Sequence, residues 1–105
     1  MADPKALRQS DETVSAELRT VPGWVADGGQ ISKEFVFSKY LDGLDFAVCV
    51  GKIAEEMDHH PDIHIFWRKV RLTASTHSAG GITALDFDLA RRIEALKAAP
   101  QETTA

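Results

Sequence analysis

Pro61 divides the clearest hydrophobic pattern of this chain into two parts with different periods. The part before it has apolar residues at helical spacing, namely Phe46, Val50, Ile53 and Met57. After Pro61, apolar and polar residues alternate from Ile63 onward, as in a strand with one buried face. A proline disfavours helical geometry at the residue before it, here His60. The sequence therefore predicts one long helix over about 39–58 and strands after it.

Two β-hairpins are predicted, one on each side of this helix. In the second hairpin the alternation runs through residues 63–74, with a tight link near Arg68-Lys69. In the first hairpin, strand-forming residues flank Asp27-Gly28-Gly29-Gln30, and the glycines can supply the positive φ of a tight turn. This hairpin is expected to cover about residues 24–37.

A shorter helix is predicted near each end of the chain. Ser10 precedes an acidic first turn, as an N-cap does, and Pro22 ends this first helical segment. Thr83 and Asp86 form a capping-box pattern at the start of the last helix. The predicted buried face of that helix is Leu85, Leu89, Ile93 and Leu96. The order α-β-β-α-β-β-α predicts the α+β class, a four-stranded antiparallel sheet with three helices packed on one face.

Composition limits what such a chain can do. Its 105 residues suit one domain, predicted to span 1–105 with frayed ends outside about 10–97. Twelve Lys and Arg against sixteen Asp and Glu give a net charge of −4, which argues against direct nucleic-acid binding. The single cysteine, Cys49, cannot form an internal disulfide, and its expected role is a small core residue. No signal-peptide pattern or membrane span is visible, so a cytoplasmic location is expected.

The chemistry-bearing residues gather between the long helix and the last one. They are Glu55, Asp58, His59, His60, His64, His77 and Asp86. Helical spacing puts Glu55 one turn before His59, where its carboxylate can orient the ring, and the helix C-terminus favours an imidazolium there. His77 ends a strand, where a neutral ring is expected. Two histidines in opposite protonation states are suited to acid–base chemistry near neutral pH.

Other interpretations stay open on residue type alone. The His59-His60-Pro61 segment and Asp86 can have a purely structural role as helix caps. His64 is expected to be solvated. Histidine and glutamate are also zinc ligands, which keeps a metal-dependent lyase or hydrolase among the alternatives. No HExxH or CxxC spacing is present, however, and adjacent histidines at a helix end point in divergent directions.

The stretch from Glu55 to Asp86 resembles the pterin-4a-carbinolamine dehydratases. The family signature is a charged residue, three positions, His-His-Pro, an aromatic, a further His, and an Asp after a short glycine-containing loop. In this sequence those positions are Glu55, His59, His60, Pro61, Trp67, His77 and Asp86. The resemblance covers about residues 10–97 and includes Gly23-Trp24 upstream.

The resemblance implies an enzyme that removes water from the 4a-hydroxytetrahydropterin left by aromatic amino-acid hydroxylases, giving quinonoid dihydropterin. It implies no metal, no organic cofactor, and a homodimer or homotetramer. By this match His59, His60 and His77 are catalytic histidines. Glu55 and Asp86 are supporting carboxylates. The implied substrate-binding residues are Asp58, His59, His60, Pro61, Ser75, Thr76, His77, Ser78 and Trp24.

The family also contains proteins that bind other proteins. Some animal members serve as dimerisation cofactors for a homeodomain transcription factor, and certain bacterial relatives act as assembly factors for the carbon-fixing carboxylase. A relative kept only as a scaffold has no reason to retain three histidines and both carboxylates. All five are present here, which favours catalysis.

Overall fold

A four-stranded antiparallel sheet with three helices on one face forms the fold, as the sequence predicts. The computed structural model describes residues 4–97. In chain order the elements are α1 (Asp11–Leu18), β1 (Val25–Asp27), β2 (Gln30–Val36), α2 (Tyr40–Met57), β3 (Asp62–Phe66), β4 (Lys69–Ala74) and α3 (Ala84–Lys97). The strand order across the sheet is β1-β2-β4-β3, and every neighbouring pair is antiparallel.

The core lies between the sheet and the helices. In β4 every second residue is buried, from Val70 to Ala74, and Ile31 and Phe35 on β2 share that face. Full burial of such an apolar side chain stabilises the fold by about 1.5–3 kcal/mol. The helices contribute Phe46, Val50, Ile53, Phe87, Leu89 and Ile93. The stripe predicted on α2 is confirmed, with Met57 partly buried at its end.

The two hairpin turns differ in how well the sequence predicts them. Gly28 and Gly29 form the first turn, with φ of 62° and 80°, as expected. The second turn is Trp67-Arg68, one residue earlier than predicted, because Lys69 still pairs with both neighbouring strands. Trp67 therefore lies outside the strand with 70% of its surface exposed, and Arg68 stacks over its ring at 4.3 Å.

The last helix packs through a face that the sequence predicts only in part. Leu89 and Ile93 are fully buried and Leu96 is partly buried, as expected. Leu85 lies outside the core, whereas Phe87 is fully buried and was missed. The capping-box prediction is confirmed, because the Thr83 hydroxyl accepts from the Leu85 N–H and an Asp86 oxygen accepts from the Thr83 N–H.

The N-terminal segment is attached to the body of the protein. Residues 4–9 were predicted to be frayed, but they include a 3-10 turn (Pro4–Ala6), and the Gln9 N–H donates to the Ile82 carbonyl at 2.8 Å. Ser10 caps α1 by accepting from the Thr13 N–H, as predicted. The other predicted frayed residues, 1–3 and 98–105, lie outside the described residues.

A left-handed residue ends α2. Asp58 follows the last helical residue, Met57, with φ of 50° and ψ of 43°, and the His59 N–H donates back to the Ala54 carbonyl at 3.1 Å. This geometry is a common way to end a helix and to redirect the chain. Across residues 4–97, none of the helices is long and apolar enough to cross a membrane.

Substitution of Asp58 tests this helix ending. Asp58→Gly should keep or slightly increase the free energy of unfolding, because glycine adopts positive φ without steric cost. Asp58→Val should lower it by about 1–2 kcal/mol, because a Cβ branch clashes in the left-handed region. Chemical denaturation of both variants measures the difference in their free energies of unfolding. Equal stability of the two variants would contradict the claim that the left-handed geometry at position 58 strains a β-branched residue.

Candidate active site

A buried carboxylate and a histidine form the centre of the site. The Asp86 Oδ1 lies 2.6 Å from the His59 Nε2. Asp86 is completely buried in the first turn of α3, and the His59 side chain is only 12% exposed. A carboxylate oxygen can only accept a hydrogen bond, so the donor in this contact is the Nε2–H of His59. The contact fixes both the position of the ring and the nitrogen that bears this hydrogen.

Two buried threonines hold the other oxygen of Asp86. The Thr76 hydroxyl donates to Asp86 Oδ2 at 2.9 Å, and the Thr83 N–H donates to the same oxygen at 2.9 Å. The two hydroxyls lie 2.8 Å apart. A hydroxyl has one hydrogen, so Thr83 must donate to Thr76, while the Thr83 oxygen accepts from the Leu85 N–H. A single directed chain of hydrogen bonds therefore runs from the start of α3 into the carboxylate.

The loop between β4 and α3 carries the third histidine. Thr76 pairs with Gly81 across the loop, with its N–H donating to the Gly81 carbonyl at 2.9 Å. His77 begins the 3-10 turn His77–Ala79 and is exposed, and its ring makes no hydrogen bond or ion pair within residues 4–97. Because Thr76 is fixed to Asp86, the backbone next to His77 is fixed to the same carboxylate that orients His59.

A surface pocket of about 300 Å³ lies against His77. Ser75 and Gln30 line it together with the glycines of two loops, Gly28-Gly29 and Gly80-Gly81. This volume lies at the lower end of the range for small-molecule sites. A Cβ at Gly28 or at Gly80 would meet no atom within 4 Å, so the pocket is open at these two glycines.

His60 lies outside the buried cluster. Its Nε2 is 2.5 Å from Glu55 Oε2, and both side chains are largely exposed. Helical spacing placed Glu55 beside His59, but the left-handed turn at Asp58 takes His59 off the helix and toward Asp86. Glu55 is thus paired with the neighbouring histidine, and an ion pair this exposed contributes little to stability.

The other predicted substrate-binding residues are spread around this centre. Asp58 and Ser78 are exposed, whereas Pro61 and Ser75 are half-buried. The Thr76 hydroxyl donates to Asp86, and its backbone N–H and carbonyl are paired with Gly81 and Ala79, so this residue holds the loop in place. Trp24 is 4% exposed, and its indole N–H donates to Glu94 Oε2 at 3.0 Å. The described contacts of Trp24 are thus with the core and α3.

The donor set for a metal is not assembled in the described part of the chain. Among residues 4–97, no three or more His, Cys, Asp or Glu side chains converge closely enough to hold a metal ion.

Cys49, the expected small core residue, is a half-buried free thiol. The residue that sequence reasoning missed is Thr83, whose capping-box position was recognised without its hydrogen bond to Thr76.

Comparison with known proteins identifies the family. Residues 8–96 match the profile described as pterin 4 alpha carbinolamine dehydratase. A protein of Natronomonas pharaonis, provisionally named pterin-4-alpha-carbinolamine dehydratase, is 44% identical over 85% of this chain and 95% of its own. One of Mycobacteroides abscessus with the same provisional name is 42% identical over 81% and 90%. The chain belongs to the pterin-4a-carbinolamine dehydratase family.

Solved structures share the same fold. A protein of Brucella melitensis titled transcriptional coactivator/pterin dehydratase superposes with a TM-score of 0.80 at 31% identity, over 85% of this chain and 97% of that one. A pterin dehydratase-like protein, titled a RuBisCO assembly factor in the alpha-carboxysome, gives 0.59 at 21% identity over 71% and 87%. At that identity the second likeness shows the fold alone.

Removal of one hydroxyl tests the buried network. Thr76→Val keeps the side-chain shape but removes the donor to Asp86 Oδ2, leaving a buried charged acceptor short of one hydrogen bond. We expect the free energy of unfolding to fall by about 1.5–3 kcal/mol. Thr76→Ser is the matched control, because it keeps the hydroxyl, and it should retain most of the stability. A loss as large in the serine variant would assign the effect to packing of the methyl group.

Proposed function

We propose that this protein is a dehydratase that removes water from 4a-hydroxytetrahydropterin and releases quinonoid dihydropterin. Family membership supports the substrate class and the type of reaction. The observation that carries the proposal is the hydrogen bond of His59 to the buried Asp86. A ring that is held at one nitrogen by a carboxylate offers its other nitrogen for proton transfer, which is a common arrangement in acid–base catalysis.

The reaction needs one proton delivered and one removed. The C4a–O bond breaks, the hydroxyl leaves as water with a proton from the acid, and N5 loses its proton as the C4a–N5 double bond forms. No electrons are exchanged with another molecule. The chemistry therefore requires only positioned proton donors and acceptors, which the histidines of this chain can supply.

His59 is the better candidate for the acid. Its Nε2–H is used by Asp86, so the proton for the departing hydroxyl comes from Nδ1 of the imidazolium form of the ring. His60 is paired with Glu55 at an exposed position and is held less firmly. His60, Glu55, Asp58 and Pro61 then form the solvent side of the substrate site.

His77 is proposed as the base that accepts the proton from N5. Its ring has no partner among the described residues and lies against the glycine-lined pocket. Ser75 and Ser78 are proposed to bind the polar edge of the pterin from the same loop, and Thr76 is proposed to hold that loop in position through its hydrogen bonds to Asp86 and Gly81. Trp24 is proposed to support the site from within the core, because its indole is buried.

The proposal extends to the setting of the reaction. Its substrate is the product of an aromatic amino-acid hydroxylase, so the protein would act in tetrahydropterin recycling, in the cytoplasm. We propose a homodimer or homotetramer without a metal or an organic cofactor. These features follow from the resemblance to the family.

Protein binding is the second candidate function. One exposed region supports it: Phe66 at the end of β3 and Trp67 in the turn after it have 42% and 70% of their surfaces exposed, and they lie beside Val36, which is 53% exposed. Exposed apolar side chains that are contiguous often mark a protein contact. The Brucella melitensis protein carries a coactivator title beside its dehydratase title, so the two functions need not exclude each other.

Replacement of the histidines tests the proposed catalysis. His59→Ala and His77→Ala should each lower the rate of dehydration of freshly generated 4a-hydroxytetrahydropterin by about 10²–10⁴-fold, the usual loss for an acid or base. Stopped-flow absorbance measures this rate. His64→Ala is the matched control, because His64 is exposed on β3 and belongs to neither role.

Two outcomes would overturn the assignment. Turnover close to that of the wild type in folded His77→Ala would remove the proposed base. If the folded wild-type protein did not accelerate the dehydration, it would not be a dehydratase, and the search would turn to protein partners.

Chelation tests the metal-dependent alternative. We expect exhaustive dialysis against a chelator to leave the dehydration rate unchanged, because the proposed steps use side-chain protons alone. Metal analysis of the same sample by mass spectrometry is the control. Stoichiometric zinc whose removal abolishes turnover, and whose return restores it, would contradict the metal-free mechanism.

A further inference from the structure

We infer that a groove at the turn between β3 and β4 docks a partner protein through an extended acidic segment that has an apolar side chain at its centre. The groove, called the turn groove below, lies between the end of β2 and this turn. Its lining includes Val36, Phe37, Phe66, Trp67, Arg68 and Lys69. The inference rests on the second candidate function, protein binding, and names the chemistry of the partner; it does not depend on dehydration.

The turn groove is concave and apolar at its centre. Its volume is about 370 Å³, near the lower end of the range for small-molecule sites, so it suits one large side chain rather than a whole helix. Val36, Phe66 and Trp67 expose apolar surface to it, and the buried ring of Phe37 belongs to the same lining. An apolar side chain that fills the groove removes these surfaces from water, which favours binding.

The two sides of the turn groove are held together before anything binds. The Phe37 N–H donates to the Arg68 carbonyl at 2.8 Å, so the chain after β2 is joined to the turn. Lys69 pairs with Val36 on β2 and with Phe66 on β3. A groove whose walls are already ordered costs a ligand less conformational entropy.

Cations lie over the aromatic walls. The Arg68 guanidinium is 4.3 Å from the centre of the Trp67 ring. The Lys69 Nζ is 5.2 Å from the centre of the Phe66 ring, and the Arg71 guanidinium is 5.4 Å from the same ring. Contacts of this kind hold a positive charge against an apolar surface. A ligand that touches the rings therefore meets positive charge at the same place.

The charge at the turn groove is opposite in sign to that of the whole chain, which is −4. Lys69 and Arg71 share one carboxylate, that of Glu34, at 3.6 and 3.7 Å, and all three side chains are partly exposed. Arg68 makes no ion pair with any of the described residues 4–97. Three cations thus share one carboxylate, and they leave an excess of positive charge beside an apolar groove.

This combination selects an acidic peptide segment over other anionic partners. Its apolar side chain fills the groove, while carboxylates before and after it reach Arg68 and Lys69, and a guanidinium can bind a carboxylate through two hydrogen bonds. Complementary charge also speeds the encounter of the two proteins. An anionic bilayer or a nucleic acid fits less well, because the net charge of −4 repels both and neither offers an apolar side chain to a concave site.

The turn groove and the candidate active site lie at opposite ends of the same two strands. β3 begins directly after His59-His60-Pro61 and ends at Phe66, and β4 begins at Lys69 and ends shortly before Thr76. With roughly 3.3 Å per residue, these strands separate the two places by about 15–20 Å. A segment bound at the turn therefore leaves the pocket at His77 open, and one molecule can perform both functions.

Selection from a random peptide library tests the inference. We would enrich phage-displayed peptides on the immobilised wild-type protein and measure Kd for labelled copies of them by fluorescence anisotropy. The enriched peptides should carry an apolar residue between aspartates or glutamates, and their Kd should rise with ionic strength, because salt screens exposed charges. Trp67→Ala and Arg68→Glu should each raise Kd on the order of tenfold or more, as at other aromatic and arginine hot spots.

Controls separate binding at the turn groove from other effects. Arg19→Glu reverses an exposed charge at the end of α1 and should leave Kd unchanged. Thermal unfolding shows that each variant is folded. Arg68→Glu and a saturating peptide should both leave the rate of dehydration of 4a-hydroxytetrahydropterin unchanged, because the groove is remote from His59 and His77.

The outcomes distinguish the inference from both candidate functions. Acidic peptides whose Kd responds to the two variants support it, whether or not the protein catalyses dehydration. Basic or uncharged peptides that respond to Trp67→Ala overturn the acidic partner but leave protein binding at the groove. No enrichment, or acidic peptides that ignore both variants, overturns the groove as a docking site. Binding of anionic phospholipid vesicles that Arg68→Glu abolishes, or a lower molar mass of Trp67→Ala by light scattering, assigns the groove to a membrane or to a second copy and also overturns the inference.

Discussion

The buried carboxylate of Asp86 is the constraint on which the rest of the site depends. A charged or polar group with no access to water must find its hydrogen bonds inside the protein, because an unpaired one is strongly destabilising. Asp86 has three donors: the Thr76 hydroxyl, the Thr83 N–H and the ring of His59. Each donor comes from a different segment, so one side chain ties together the end of α2, the loop after β4 and the start of α3.

Two departures from regular structure bring these three segments together around Asp86. At the end of α2 the left-handed geometry of Asp58 takes His59 off the helix axis. After β4, the pairing of Thr76 with Gly81 closes a short loop that contains His77 and returns the chain to α3. Both departures begin from elements that are anchored in the core, since Leu72 and Ala74 on β4 and Ile53 on α2 are buried there.

Most of the architecture could be predicted from local patterns. The stripe on α2, the alternation in β4 and the cap at Ser10 each depend on residues a few positions apart, and the structure confirms them. The turn between β3 and β4 lies one residue earlier than predicted because alternation does not reveal where strand pairing stops. Strand pairing with β2 carries Lys69 into β4 and leaves Trp67 in the turn.

The sequence motif nominates the residues of the candidate site, but it does not predict the contacts between them. Motif spacing marks His59, His60, His77 and Asp86, yet helical spacing pairs Glu55 with the wrong histidine. The observed pairing, Glu55 with His60 and Asp86 with His59, depends on the positive φ of Asp58. The sequence does not predict this φ, because most aspartates have negative φ. The hydrogen bond between Thr76 and Thr83 joins two loop ends, and no periodic pattern encodes such a contact.

The protonation of the His59 ring tests this account most directly. Nuclear magnetic resonance of protein with ¹⁵N-labelled histidine, assigned with a His59→Gln variant, reports which ring nitrogen bears hydrogen. The account predicts a protonated Nε2 whose hydrogen is protected from exchange and becomes exchangeable in Asp86→Asn. An Nε2 without hydrogen in the folded wild type would contradict it, because His59 would then not be the donor that Asp86 holds.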